Sequence, residues 1–255
     1  MNNESKSQHQ VASMKTIGIL GGMSSQATAE YYHLINTGIN QICGGWNAAE
    51  LLICSVNFAN IESFVRGDRW EDAANYLVSK AIQLEVGGAD FIVMATNTMH
   101  RVAPQIEASI QIPLIHIVDV TAEEIEKHGM NKVGVLGTKP VMEAEFYRDR
   151  FYQHGIDAIA PSSQQSEIID TIIFDELVFG TIKDESRAIY VDIMKDLIER
   201  GAQGIVLGCT EIEMLVKPQD IELKLFDTTT LHCQKAINLA LSIEAISSKF
   251  AKNII

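Results

Sequence analysis

Cysteine is scarce in this chain and badly spaced for metal or disulfide chemistry. The four cysteines are Cys43, Cys54, Cys209 and Cys233. None forms a C-x-x-C pair, and their spacings fit neither a zinc site nor a small disulfide scaffold, so no metal is expected. Cationic residues are also few, with 20 Lys and Arg against 33 Asp and Glu and a net charge of −13. No basic cluster exceeds two residues, which argues against a nucleic-acid partner or an anionic membrane surface. A small anionic ligand stays open, because backbone amides at helix starts bind carboxylates without side-chain charge. No run of about 18 apolar residues occurs, so no membrane span is expected. The opening "MNNESKSQHQVAS" is polar and lacks the apolar core of a signal peptide. Residues 1–13 are expected to be a disordered leader, with folding from Met14, in a reducing, cytoplasmic setting.

What the chain does have is 47% hydrophobic residues over 255 positions. That suffices for one large core or two smaller ones of roughly 100–130 residues. Short β-branched runs alternate with segments of helical period. "TIGIL" (16–20), "ELLICSVNF" (50–58), "FIVMA" (91–95) and "PLIHI" (113–117) read as buried strands in the first half. "KVGVLG" (132–137), "IDAIA" (156–160), "GIVLG" (204–208) and "LKLF" (223–226) do so in the second. Helices are expected near 141–154, 164–180, 184–200 and 229–249 among others. Strands alternating with helices predict parallel sheets covered on both faces.

The two halves echo each other. With Gly88 set over Gly201, "GADFIVMATNT" and "GAQGIVLGCTE" align without a gap, and Thr96 falls over Cys209. "TIGILGG" matches "KVGVLGT", and "VDVTAEEIEK" loosely echoes "FDTTTLHCQK", with Asp119 and Asp227 expected as helix N-caps. The predicted fold is α/β: two pseudo-symmetric doubly wound parallel-sheet domains with the site in the cleft between them. Domain one is expected over 14–117 plus 228–255 and domain two over 118–227, the last helix crossing back onto the first domain. Ligands of open α/β sheets bind beyond the carboxyl ends of strands, where Thr96 and Cys209 both stand. A pocket presenting one group from each side suits chemistry at a single carbon centre.

These residues carry a resemblance. "ILGGMS", "TNTMH", "VLGT" and "GCTEI" together resemble the aspartate/glutamate racemase family, over essentially the whole chain from Met14. The resemblance implies a cofactor-independent racemase acting on a small amino acid by two bases on opposite faces of Cα. In the common family pattern both bases are cysteines. Here Cys209 would be the base toward the L form, and Thr96, or a water it holds, would serve the other face. A hydroxyl is a poor base but can donate a proton to a carbanion. Thr96 also has a bland reading as a helix N-cap. A thiolate suits proton abstraction, and a helix N-terminus can lower its pKa.

Around this pair, Asn97, Thr98, Thr138 and Thr210 follow strand ends and offer donors to a carboxylate. Met23 and Ser24 lie in the glycine turn "GGMS", which is not the dinucleotide pattern, so no nucleotide cofactor is indicated. Asn57 and Phe58 are expected pocket-wall residues. His100 and Glu211 stand behind the reacting groups; Glu211 either orients or protonates the site or caps the following helix. Cys54 and Cys233 are expected in the core. Two departures from the family pattern stand out. Ser25 and Gln26 replace the usual tryptophan and glutamate, and "SVNFANIE" lacks the arginine that binds the side-chain carboxylate in related members. Arg66, Arg69 and Lys183 are read as surface residues. Alternatives left open are a single-cysteine decarboxylase or isomerase of the same superfamily, and a non-catalytic amino-acid-binding protein. A homodimer is compatible with this size but not demanded.

Overall fold

The computed structural model describes residues 14–243. The expected residues 1–13 leader and the end of the last helix lie largely outside that range. The first half runs β1 (Ile17–Gly21), α1 (Ser25–Cys43), β2 (Leu51–Ser55), α2 (Phe58–Arg66), α3 (Trp70–Val86), β3 (Phe91–Met94), α4 (Ala103–Glu107) and β4 (Leu114–Ile115). After α5 (Ile117–Lys127) come β5 (Lys132–Gly137), α6 (Lys139–Glu143), α7 (Glu145–Gln153), β6 (Asp157–Ile159), α8 (Ser163–Asp175) and α9 (Asp184–Glu199). The chain then forms β7 (Gly204–Gly208), α10 (Ile212–Leu215), β8 (Lys224–Asp227) and α11 (Thr228–Ala240).

The two sheets share one topology. Their strand orders are β2-β1-β3-β4 and β6-β5-β7-β8, with every pair parallel. Alternation along each central strand sends successive side chains to opposite faces. Ile17 and Ile19 enter one apolar cluster of the first sheet with Phe91 and Val93, while Leu20, Ile92 and Met94 enter the other. In the second sheet, Val133, Val135 and Val206 face one cluster, and Leu136, Ile205 and Leu207 face the opposite one. Both sheets are therefore covered twice, which is why their central strands read as continuous apolar runs.

The chain passes between the sheets twice, through α5 after β4 and through α11 after β8. Ile117, Val118, Ala122 and Ile125 of α5 pack on the second sheet. Cys233, Ala236, Ile237 and Ala240 of α11 pack back on the first. We propose these two crossings as the domain boundaries.

Several elements differ from the sequence-based expectation. β2 stops at Ser55 rather than residue 58, because Asn57 caps a separate helix, its side chain accepting the Ala59 N–H at 3.1 Å. The helix expected over 141–154 is two helices, broken at Ala144, whose backbone is extended (ψ 143°). The 164–180 segment is helical to Asp175 and ends in a 3₁₀ turn, Leu177–Phe179. α11 ends at Ala240, so the expectation of a helix to 249 fails within the described residues. Asp227 does cap α11, accepting from the Thr230 N–H at 2.9 Å. Asp119 does not cap: it sits inside the first turn of α5, and His116 occupies the cap position. Its carboxylate instead binds Arg150 at 2.6 and 2.5 Å and His154 at 3.1 Å.

The β1–α1 turn is the tightest backbone approach near the strand ends. Gly22 has φ +87°, and a Cβ there would fall 2.3 Å from the Val56 carbonyl oxygen and 2.4 Å from its nitrogen. Gly129 also has a positive φ (+67°) but faces open space. Replacing each with alanine separates conformational strain from collision. Gly129→Ala is expected to lower stability by about 1–2 kcal/mol, the cost of a left-handed alanine. Gly22→Ala should exceed that in the same urea titration, because neither contacting backbone atom can rotate away; equal losses would contradict the close approach.

Candidate active site

Each sheet reverses its strand order between its first and third strands, and the turns at that switch point form the lips of the site. Gly22-Met23-Ser24 follows β1 and Ala95-Thr96-Asn97 follows β3; Thr138 follows β5 and Cys209-Thr210-Glu211 follows β7. This switch-point location is where open α/β sheets bind ligands. Thr96 and Cys209 thus occupy equivalent positions in the two repeats, and both are half-buried.

The lips of the two sheets touch each other. The Thr98 and Thr138 hydroxyls lie 2.9 Å apart, and Ser24 Oγ lies 3.5 Å from Glu211 Oε1. On the second-sheet side, Glu211 Oε2 accepts from Cys209 Sγ at 3.0 Å and from the Thr210 hydroxyl at 2.7 Å. Glu211 therefore gathers the thiol, a neighbouring hydroxyl and the opposite lip around one carboxyl group.

This arrangement reverses the expectation that a helix start would lower the thiol pKa. α10 has only one turn, and Cys209 is held well above the usual thiol range, first by burial and then by the adjacent Glu211 charge. The thiol is a proton donor to Glu211 at rest, and Glu211 is the group placed to receive that proton when a thiolate forms. Glu213, on the next turn, is also raised well above the carboxyl range by burial and by its pairing with Asp227.

Thr96 is not a helix cap. Asn97 occupies the cap position of the 3₁₀ turn Thr98–Val102, with helical backbone angles and no side-chain cap bond. Backbone bonds fix Thr96: its N–H donates to the Met94 carbonyl at 2.8 Å, and its own carbonyl lies 2.7 Å from His100 Nδ1.

The other expected residues divide into groups. Thr98, Thr138, Thr210 and Glu211 come together at the lips. The Met23 side chain does not: it is 8% exposed and packs into the first sheet's core, leaving only its backbone at the turn. Asn97 is buried and structural, accepting from the Tyr147 hydroxyl at 2.9 Å and donating to the Thr228 hydroxyl at 3.0 Å. Ser24 caps α1 by accepting from the Ala27 N–H. Asn57 is committed to capping α2, and Phe58, at its start, is exposed. Cys233 is buried; Cys54 lies half-buried on the edge strand β2, its thiol 3.8 Å from Gln83. Among the described residues no His, Cys, Asp or Glu group suited to a metal ion occurs, and no helix is long and apolar enough to cross a membrane.

Sequence reasoning passed over Tyr31, His116, Tyr147, Thr228 and His232, all buried polar groups at the junction of the two sheets. The available signal was a histidine inside each of two apolar contexts, "LIHI" and "TLHC".

Comparison with known proteins bears on the family and the fold. The family model described as Asp/Glu/Hydantoin racemase matches residues 20–236. A solved structure from Yersinia pestis, described as a candidate Asp/Glu racemase, is 43% identical with a TM-score of 0.85, covering 89% of this chain and 100% of that one. An aspartate racemase homologue from Pyrococcus horikoshii is 35% identical with a TM-score of 0.78, covering 89% and 99%. The broad specificity amino-acid racemase RacX of Bacillus subtilis is 22% identical over 90% of this chain and all of that one. These relatives support an amino-acid racemase, an isomerase, in general terms. By motif, topology and similarity, the chain belongs to the Asp/Glu/Hydantoin racemase family.

Proposed function

We propose that the protein is a cofactor-independent racemase that interconverts the L and D forms of a small amino acid between Cys209 and Thr96. The observation that carries this reading is the equivalence of their positions: each follows the third strand of its sheet, at the switch point, on opposite lips. In the L-to-D direction, Cys209 passes its proton to Glu211 and the resulting thiolate takes the Cα proton. The Cα–H electron pair becomes a carbanion delocalised into the substrate carboxylate. Thr96, or a water it holds, donates a proton to the opposite face and is reprotonated from solvent, while Glu211 releases to solvent the proton it took, which restores both sides. The Thr98–Thr138 hydroxyl pair, which keeps one proton beyond the bond between them, and the backbone amides of the Met23–Ser24 turn supply pre-positioned donors to the carboxylate, while Thr210 spends its proton on holding Glu211.

The substrate class follows from charge. At the turns after β1, β2, β3, β5 and β7 the one cation is Lys139, the first residue of α6, and its ammonium is held by Glu167 at 2.5 Å. Arg66 pairs with Glu62, Arg69 with Asp72, and Arg101 stacks over Trp70. With no free guanidinium at the lips among the described residues, aspartate and glutamate are accepted as members of a wider set of small amino acids. The name of the Bacillus subtilis relative supports the same breadth.

Since L and D forms have equal free energy in an achiral solvent, kcat/KM is the same in both directions. A weak acid at position 96 therefore appears as unequal kcat and KM, not as one-way turnover.

Three outcomes test the roles. With an L substrate in D₂O, Cys209→Ser is expected to slow both deuterium wash-in and inversion by about 10²–10⁴-fold, the usual contribution of a positioned acid–base group. Thr96→Ala should retain wash-in while losing inversion; loss of both would place Thr96 outside the proposed role. Glu211→Gln should lower the pH at which Cys209 becomes alkylatable, because a negative neighbour that disfavours the thiolate is gone, while racemisation slows. Mapping the labelled peptide across pH reads the first effect, and an unchanged or higher midpoint would contradict the Cys209–Glu211 coupling.

A further inference from the structure

Three histidines from separate elements meet in the interior where both chain crossings join the Thr96 loop. His100, His116 and His232 are 1%, 6% and 0% exposed. The His100 ring lies 4.6 Å from that of His116 and 5.9 Å from that of His232, centroid to centroid. Burial, together with the neighbouring rings and Arg150, holds each well below the ordinary histidine range, to about 3 for His116 and His232. All three are neutral rings, and in His100 and His232 both nitrogens have a bonding partner that fixes their role.

Backbone partners settle those roles. The Ile117 N–H donates to His100 Nε2 at 3.3 Å, so the His100 proton sits on Nδ1 and is donated to the Thr96 carbonyl at 2.7 Å. The Val118 N–H donates to His116 Nδ1 at 3.2 Å. His232 Nε2 donates to the Ile115 carbonyl at 2.8 Å, and its Nδ1 accepts from the Tyr31 hydroxyl at 2.8 Å. The chain of contacts thus runs from the Thr96 loop through the start of α5, the first crossing, to α11, the second, and ends on α1. Cys209 hangs from β7 and takes no part in these bonds.

We infer that this three-histidine cluster is a positioning device for Thr96: His100 sets the Thr96 backbone and ties it to both domain crossings. The substrate face served by Thr96 then depends on His100, and the face served by Cys209 does not. The inference rests on the catalytic reading of Thr96 above. His100 is a positioning residue and touches no reacting atom.

The test compares His100→Asn and His100→Phe with wild type, following an L-amino acid in D₂O by NMR and chiral analysis. Wash-in with retention reports the Cys209 face, and inversion reports the Thr96 face. His100→Phe should lower the ratio of inversion to wash-in by roughly 10- to 100-fold, the scale of an ångström-level misplacement. His100→Asn should recover part of it, because its amide can replace the Nδ1 donor to Thr96. If His100→Phe fails to fold, Tyr31→Phe, which removes only the hydroxyl bonded to His232, should lower the ratio in the same sense. A parallel fall in wash-in and inversion, or an unchanged ratio, overturns the inference. If wild type exchanges no α-proton, the racemase reading is what fails. Amide exchange then tests the cluster alone: Ile117 should lose protection in His100→Asn while β3 keeps it, and unchanged protection would overturn the positioning role.

Discussion

The site depends on one buried side chain, Asn97. Its carboxamide oxygen accepts from Tyr147 on α7 and its nitrogen donates to Thr228 at the start of α11; Thr228 in turn donates to the Leu207 carbonyl in β7. Two of these bonds, through Thr228, fasten the turn after β3 to the strand that carries Cys209, and the third fastens it to α7. Buried polar groups left without partners cost about 1–3 kcal/mol each. The ends of the two third strands, β3 and β7, are therefore fastened to each other through Asn97 and Thr228. Thr96 stands next to this clamp in the chain, and its own backbone is bonded to Met94 and His100.

A duplicated fold explains why such a clamp is sufficient. Both sheets have the order second-first-third-fourth, so both have a switch point, and both leave backbone donors at the turns after their first and third strands. On the proposed function, the carboxyl ends of two such sheets each bring one group to the substrate. The substitution of Thr96 for the thiol of its counterpart then breaks chemical symmetry while leaving geometric symmetry intact. On the proposed mechanism, Cys209 and Glu211 form the side that abstracts and Thr96 the side that donates.

Most of the architecture was legible because its signals are local. The apolar runs at 17–21, 91–94, 132–137 and 204–208 are central strands buried on both faces, and nothing in their sequence competes with that reading. Boundaries slipped where a single capping residue decided them. Asn57 ended β2 early by starting α2, and Ala144 broke a helix that composition alone would have continued. The site was legible only in part. Thr96, Cys209, Thr98, Thr138, Thr210 and Glu211 stand at strand ends, where position and motif coincide. The true placement of Asn97 and Met23 was hidden, because whether a side chain faces the cleft or the interior depends on partners far along the chain, here Tyr147 and Thr228. The raised thiol of Cys209 was hidden for the same reason: burial and the approach of Glu211 outweigh a one-turn helix.

The central claim is that Cα loses a proton on one face and gains another on the opposite face. The direct measurement is the deuterium content of the first D-amino acid formed by the wild-type protein from an unlabelled L-amino acid in D₂O. The account predicts that the D product carries one solvent deuterium at Cα from the earliest turnover. A D product that keeps its original proton, or an L pool that never exchanges and never inverts across a panel of small amino acids, would contradict it.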